Sequence, residues 1–128
     1  MAADGGPPGD WAQGDWARPV VHWEIEARDP GLIRAFYADL FGWNIGDGPI
    51  MSIAPGIGGP EAGVGGHIRG SDNSRVNLYV QVRDLRTSLD QAVSLGGSVT
   101  LEPFDVPGGP SLAGIKDPEG NPLMLVQQ

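Results

Sequence analysis

The sequence contains no cysteine, only one lysine and no long apolar run. The absence of cysteine excludes disulfides, thiolate metal sites and cysteine nucleophiles together. Because no apolar stretch approaches the length of a membrane span, and no basic segment precedes an apolar core near the N-terminus, we expect neither membrane insertion nor export. The expected location is therefore the cytoplasm.

Basic residues are scarce: 8 Lys and Arg stand against 16 Asp and Glu, which gives a net charge of −8. Such a surface repels phosphate backbones unless a basic patch overrides it, and the scattered arginines form no such patch. Nucleic acid is therefore not an expected partner. The same acidic balance favours a cationic organic ligand, through an attraction that salt weakens.

The 128 residues contain a repeat. A shift of 55 positions lays Val21 on Val76, Asp29 on Asp84 and Gly42 on Gly97 without a gap. A unit of roughly 50 residues that occurs only twice predicts two copies that pack together in one domain. We expect a single domain over 18–127, made of module one (about 18–70) and module two (about 75–127).

Two stretches are rich in glycine and proline. Residues 1–17 are expected to form a flexible tail, in which Trp11 and Trp16 either dock on the domain or a second subunit, or are incidental. The loop over 54–66 has many glycines, but their spacing matches no phosphate-binding motif. It is expected to be a flexible connection or a mobile loop at a pocket mouth.

Residues 20–27 alternate in polarity, which predicts a strand with one apolar face. His22, Glu24 and Glu26 share its polar face. Asp29 is the predicted N-cap of a following helix, and Gly42 its left-handed stop. An apolar stripe at helical spacing is predicted to cover the strand; it consists of Leu32, Phe36 and Leu40, with Ile33 and Phe41 beside them.

The remaining strands of module one are predicted at 43–45 and 50–53. Module two repeats the plan, with an alternating strand over 77–82, a helix after Asp84, a strand from Val99, and a hairpin of 111–116 with 122–127. Each module is therefore predicted to be βαβββ. The expected fold is α+β: two tandem modules whose sheets curve around a shared trough, with the helices outside.

Four motifs carry a family resemblance. These are V-H-W-E-I-E-A-R-D at 21–29, F-Y-A-D-L-F-G-W at 36–43, G-G-S-V at 96–99 and D-P-E-G-N-P-L at 117–123. Together they resemble the vicinal oxygen chelate (VOC) superfamily, which includes glyoxalase I, bleomycin-resistance proteins, extradiol dioxygenases and methylmalonyl-CoA epimerase. Within it, the chain is most similar to small glyoxalase-like proteins of bacteria.

The resemblance implies a trough metal held by four side chains, two from each module. His22 matches the first-strand position of module one, but its counterpart in module two is Asn77, a poor ligand. The last-strand positions fall on Met124, where the family usually has Glu, and on Gly66 or His67. We therefore expect no cofactor and no complete metal site, with His22 and His67 as the ligands of a divalent metal if one binds.

The first functional hypothesis is a binding protein that holds a small organic molecule in the trough without a metal. Its expected lining comprises His22, Glu24, Glu26, Trp43, Asn77, Tyr79, Gln81 and Met124. For Trp43 the alternative is core packing. For His22 the alternative is a structural histidine hydrogen-bonded to a neighbour such as Glu24.

The second hypothesis is a lyase or isomerase of the glyoxalase I or epimerase type, metal-dependent or metal-free. His22 and Glu24 are its candidate catalytic residues, with Glu26 as an alternative base. The resemblance also implies a homodimer. A third hypothesis is an interaction subunit whose sheet edges and tail serve an assembly.

Overall fold

The computed structural model describes residues 18–54 and 63–127. In chain order the elements are β1 (Val20–Ala27), α1 (Pro30–Phe41), β2 (Ile50–Ile53), β3 (Gly66–Gly70), β4 (Arg75–Gln81), α2 (Leu85–Ser94), β5 (Ser98–Asp105), β6 (Ser111–Lys116) and β7 (Pro122–Gln127). The tail over 1–17, with Trp11 and Trp16, and most of the glycine-rich loop lie outside the described residues.

The seven strands form one mixed sheet in the order β2-β3-β1-β4-β7-β6-β5. In each module the first strand runs parallel to the last, β1 with β3 and β4 with β7. The two first strands pair antiparallel at the centre of the sheet. The predicted α+β fold is confirmed.

The strand predicted at 43–45 is wrong. Ile45 makes only an isolated bridge to Ile53, so module one has one strand fewer than module two. The side chain of Arg34 explains the difference, because its guanidinium donates to the carbonyl oxygens of Ile45 (2.8 Å and 3.1 Å) and Gly46 (3.0 Å). Carbonyls engaged by a side chain are less available for pairing with a neighbouring strand.

The sequence repeat coincides with a pseudo-two-fold axis of the sheet. Trp23 pairs with Leu78 in the β1–β4 ladder, and the 55-residue shift relates the same two positions. The axis therefore passes between them. Polar residues of the two strands meet across it, Glu24 opposite Asn77 and His22 opposite Tyr79.

Both helix caps of module one are confirmed. The Asp29 carboxylate accepts from the Leu32 amide at 3.1 Å, and Gly42 ends α1 with φ of 70°. Module two uses Asp84 in the same way, with the Thr87 amide as donor.

The predicted packing face of α1 is wrong. Leu32, Phe36 and Leu40 are all more than half exposed, and the helix packs through Ile33, Tyr37 and Ala38 instead. The helix has apolar residues on both sides, so their spacing did not determine which side faces the sheet. Aromatic rings at the C-terminal end of α1 favour packing through the side that carries Tyr37, because the Tyr37 ring stacks on Trp43 with ring centroids 5.4 Å apart.

The core consists of two clusters, one under each helix. The buried residues of the first are Ala27, Ile45, Ile53 and Ile68. Those of the second are Val82, Leu85, Leu89, Ala113 and Leu125. Both lie on the helix-bearing face of the sheet, which leaves the other face for the trough. None of the helices in 18–54 and 63–127 is long and apolar enough to span a membrane.

Candidate functional site

The concave face of the sheet encloses a cavity of about 790 Å³. Its polar lining, from the central strands and β3, comprises Glu24, Glu26, His67, Arg69, Arg75, Asn77 and Tyr79. Its apolar lining, from module two, includes Leu101, Phe104, Leu112 and Met124. This volume falls in the range of small-molecule sites.

Glu24 is buried, with 3% of its surface exposed. Its carboxylate accepts from His67 Nε2 (2.7 Å), Arg69 Nε (2.8 Å) and Asn77 Nδ2 (2.7 Å). Burial alone raises the pKa of Glu24, but the hydrogen bonds from His67, Arg69 and Asn77 outweigh burial and hold that pKa well below its usual range. Glu24 is therefore a fully partnered carboxylate at neutral pH.

Glu26 is equally buried, with 2% exposed. Burial raises its pKa, but hydrogen bonds from Arg75, Asn77, Ser71 and Asn73 together lower the pKa to about 2. The amide nitrogen of Asn77 donates to both carboxylates, at 2.7 Å to Glu24 and 2.6 Å to Glu26. Asn77 thus lies between two anions that would otherwise repel each other.

The two histidines are in direct contact. His22 Nε2 lies 2.7 Å from His67 Nδ1, and the rings stack with centroids 5.0 Å apart. Since Glu24 is ionised, His67 Nε2 donates to it; in the neutral form of the His67 ring, Nδ1 then accepts from His22 Nε2, which leaves His22 Nδ1 with a lone pair. The pKa of His22 is lowered by burial and by His67, against an opposing effect of Glu24. His22 is therefore neutral at pH 7.

Tyr79 closes this cluster on the module-two side. Its ring meets His22 edge-on, with centroids 5.3 Å apart. Burial, the charge of Glu24 and a hydrogen bond with Glu24 raise the pKa of Tyr79 to about 12, although Arg69 opposes them. The hydroxyl therefore keeps its proton and acts as a donor at neutral pH.

The strand register settles which residue occupies the last-strand position of module one. His67 pairs with Glu24, as Met124 pairs with Tyr79, the residue related to Glu24 by the 55-residue shift. His67 therefore faces the trough, and Gly66 lies on the opposite face under Trp23. Structure thus brings together His22, Glu24, Glu26, His67, Asn77, Tyr79 and Met124.

Three residues of the expected lining, Trp43, Gln81 and His22, do not line this cavity. Trp43 packs against Trp23, Tyr37 and Phe41 on the helix-bearing face, which corrects its assignment to the trough and agrees with the core-packing alternative. Gln81 pairs with Val126 at the end of β4 and is not part of the cavity wall. His22 lines a smaller cavity of about 510 Å³, which shares no lining residue with the larger one.

The sequence interpretation missed three cations of the cavity wall, Arg69, Arg75 and Lys116. Strand parity was a usable signal for the arginines. Arg69 lies two residues after His67 and Arg75 two before Asn77, so each shares a face with a residue already assigned to the trough. Lys116 ends β6 opposite Pro122, which lies two residues before Met124, so the same parity of the hairpin applies to it.

The donor set does not fit the divalent metal that the family resemblance implies. Of the four matching positions only His22 and His67 carry imidazoles, and these bond to each other at 2.7 Å. Every oxygen of Glu24 is engaged by neighbouring donors, while Asn77 and Met124 offer an amide and a thioether. Among residues 18–54 and 63–127, no group of three or more His, Asp or Glu side chains is arranged to hold a metal ion.

Two solved structures of other proteins share this fold. A crystal structure of a glyoxalase/bleomycin resistance protein/dioxygenase superfamily member from Vibrio splendidus 12B01 matches with a TM-score of 0.60 at 17% identity, covering 88% of this chain and 100% of that one. Methylmalonyl-CoA epimerase from Mycobacterium tuberculosis matches with a TM-score of 0.57 at 15% identity, over 84% and 86% of the two chains. At these identities the likeness shows the fold alone.

A curated relative is CFP32 of Mycobacterium tuberculosis, provisionally described as a glyoxylase, which is 26% identical over 123 residues. The alignment covers 88% of this chain and 47% of the relative, so the chain spans about half the length of the curated relatives it matches. The model of the glyoxalase-like domain matches residues 22–126, nearly all of the described sheet. The chain therefore belongs to the glyoxalase-like domain family, within the vicinal oxygen chelate superfamily.

Proposed function

We propose that the trough binds a small organic molecule without a complete metal site. The observation that carries the proposal is the cavity of about 790 Å³, which joins an apolar wall to a polar wall of preorganised side chains. Along one row of the sheet, Met124 and Leu101 both pair with Gly114, where a methyl group would lie 2.7 Å from Thr100 Oγ1 and 3.1 Å from Leu101 Cβ. The side chains of Thr100 and Leu101 therefore cover Gly114, and the apolar wall that a ligand meets includes Leu101, Leu112 and Met124.

Filling the apolar part of the cavity should weaken binding. In the double variant Leu101→Trp/Met124→Trp, two indoles would replace smaller side chains of the apolar wall and occupy the apolar part of the cavity. We expect the affinity for the neutral aromatic probe 2-naphthamide, measured by isothermal titration calorimetry, to fall at least tenfold, since an apolar group that loses its pocket loses on the order of 1.5–3 kcal/mol.

The matched control is Leu95→Trp, which adds an indole at a surface position that is 72% exposed. This variant should bind 2-naphthamide like the wild type. Equal affinity of the double variant and the wild type would contradict binding in the trough. The proposal would also be contradicted if the wild type bound no aromatic probe of this size, whether anionic, neutral or cationic.

A second candidate function is metal-free proton transfer of the lyase or isomerase type, favoured by the His22–His67–Glu24 hydrogen-bond chain. The neutral His22 would accept a proton from an acidic C–H bond, the electron pair would remain on the ligand as an enolate, and return of the proton would give an isomer. Glu24 would be a positioning residue, because its oxygens are engaged in holding His67 and Arg69.

Exchange of a carbon-bound proton in D₂O tests this candidate. Methylmalonyl-CoA, the substrate named for a structural neighbour, is the probe, and loss of its α-proton signal is followed by NMR. We expect His22→Gln to slow exchange about 10²-fold or more. Because burial lowers the pKa of His22, the wild-type rate should fall only below pH 6.5. Exchange no faster than in buffer would remove this substrate class.

We infer a homodimer, supported by the exposed stripe of Leu32, Phe36 and Leu40 on α1, an apolar surface suited to a partner. Sedimentation equilibrium tests the homodimer, and a monomer at micromolar concentration would contradict it.

We also infer a cytoplasmic location, supported by the lack of cysteine, which cell fractionation checks.

A further inference from the structure

Polarity changes along the length of the trough. The strand register places Ile50, Arg69, Glu26 and Arg75 in one row at one end, with Lys116 at the rim of the next row. The rows at the other end carry Met124 and Leu101, then Leu112 and Phe104. A bound molecule therefore meets cationic side chains at one end of the cavity and apolar side chains at the other.

The two carboxylates at the charged end cannot readily serve as a cation site. Glu24 and Glu26 are 3% and 2% exposed, and each of their four oxygens already accepts at least one hydrogen bond from a protein donor. A cationic ligand would have to displace a buried partner, which leaves a polar group unsatisfied. The carboxylates thus stabilise the cavity wall and do not attract a ligand.

The arginines face the cavity differently. Arg75 donates to Glu26 through Nε, which leaves its terminal amino groups at the half-exposed end of a side chain that is 51% exposed. Arg69 is held by both carboxylates, because its Nε donates to Glu24 at 2.8 Å and its Nη2 lies 3.4 Å from Glu24 and 3.2 Å from Glu26, yet its side chain is 42% exposed. A guanidinium fixed by a buried carboxylate has lost most of its rotamer freedom, so a further oxyanion binds it at low entropic cost.

From this arrangement we infer that the ligand is an amphipathic organic anion. Its carboxylate or phosphate binds Arg75, Arg69 and Lys116, and its apolar body lies against Leu101, Leu112 and Met124. Three cations against two saturated carboxylates make the cavity attractive to anions, although the whole chain carries a charge of −8. The overall charge alone favours a cationic ligand, but we infer that the local charge of the cavity wall determines the ligand. The inference rests on the proposed trough binding.

Probes of one shape and different charge test it. We compare 2-naphthoate, its neutral isostere 2-naphthamide and 2-naphthylmethylammonium by isothermal titration calorimetry at 50 mM salt. The expected order is anion, then amide, then cation, with at least tenfold between the first two, because a charge-assisted hydrogen bond is roughly twice as strong as a neutral one. A 2-naphthyl phosphate arm distinguishes the two headgroups, and tighter binding of either anion supports the inference.

Two variants locate the headgroup. Arg75→Gln should reduce the preference for 2-naphthoate over 2-naphthamide to below threefold, whereas Arg86→Gln, at an exposed arginine outside the cavity, should leave it unchanged. Because Arg75→Gln also removes a partner of buried Glu26, Lys116→Gln serves as a second variant. No hydrogen bond in the described part of the chain ties Lys116 to either buried carboxylate, and its loss should weaken 2-naphthoate alone two- to fivefold.

The possible outcomes distinguish the anion site from trough binding itself. If 2-naphthamide binds the trough as tightly as 2-naphthoate, the anion site is overturned and trough binding stands. The same holds if neither Arg75→Gln nor Lys116→Gln changes the preference for the anion. If no probe binds, both ideas fail together.

Discussion

Gly66→Ala should destabilise the protein by about 3 kcal/mol, a loss comparable to removing a large side chain from the core. A methyl group at this position would lie 2.5 Å from Cδ2 of the Trp23 indole and 2.7 Å from the Trp23 carbonyl oxygen. The indole cannot easily move, because its Nε1 donates to the Val64 carbonyl at 2.7 Å and its ring packs against Trp43. Urea denaturation measures the free energy of unfolding.

Gly63→Ala is the matched control, since a methyl group there meets no atom of the described residues within 4 Å. Its free energy of unfolding should stay within about 0.5 kcal/mol of the wild type. The variant Trp23→Leu/Gly66→Ala tests the cause, because a smaller partner should recover part of the loss. A loss below about 1 kcal/mol for Gly66→Ala alone would contradict a rigid Trp23–Gly66 contact.

The repeat in the sequence predicted the overall architecture, because two similar sequence units fold into two similar arrangements of strands and a helix. Caps, glycine stops and alternating strands depend on local interactions, so Asp29, Gly42 and the closing hairpin could be located from a few neighbouring residues. The same local rules did not determine which side of α1 faces the sheet. Leu32 and Ile33 are adjacent and both apolar, and only packing against Trp43 distinguishes their faces.

The site was harder to predict because its residues act on one another across strands. The polar face of β1 predicted ligand-lining residues and a catalytic base, Glu24 or Glu26, since the sequence does not reveal where the compensating donors lie. Structure shows that Glu24 and Glu26 are buried against Arg69, Arg75 and Asn77, which are 43 to 53 positions away in the chain. Only the register of the ladders brings them together.

Asn77 illustrates the limit of arguing from symmetry. As the counterpart of His22 it was interpreted as a failed metal ligand. In the ladder it stands opposite Glu24 and donates to two carboxylates, so an amide fits this position better than an imidazole or a carboxylate would. The departure from the family's pattern at Asn77 is therefore linked to the buried Glu24 and Glu26 of β1, because Asn77 donates a hydrogen bond to both carboxylates.

Acid should weaken the fold through these same carboxylates. The folded-state pKa of Glu26 is about 2, against an ordinary value of 4.5, so its stabilisation is fully present above pH 4.5 and is lost as pH falls towards 2. A shift of this size corresponds to about 3 kcal/mol, and Glu24, also shifted downward, adds to the loss. The free energy of unfolding from urea titrations at pH 6, 4 and 2.5 should fall monotonically, most steeply below pH 4.5.

Glu26→Gln isolates the contribution of this carboxylate. The variant should be less stable at pH 6 by about 3 kcal/mol, since Arg75 and Asn77 lose their anion, but its stability should change less between pH 6 and pH 2.5 than that of the wild type. Glu102→Gln, which removes an exposed carboxylate paired with Arg86, should leave both the stability and its pH dependence near wild type. If Glu26→Gln instead followed the wild-type pH curve at a constant offset, the acid sensitivity would have to come from other groups, because a residue that no longer titrates cannot bind the proton.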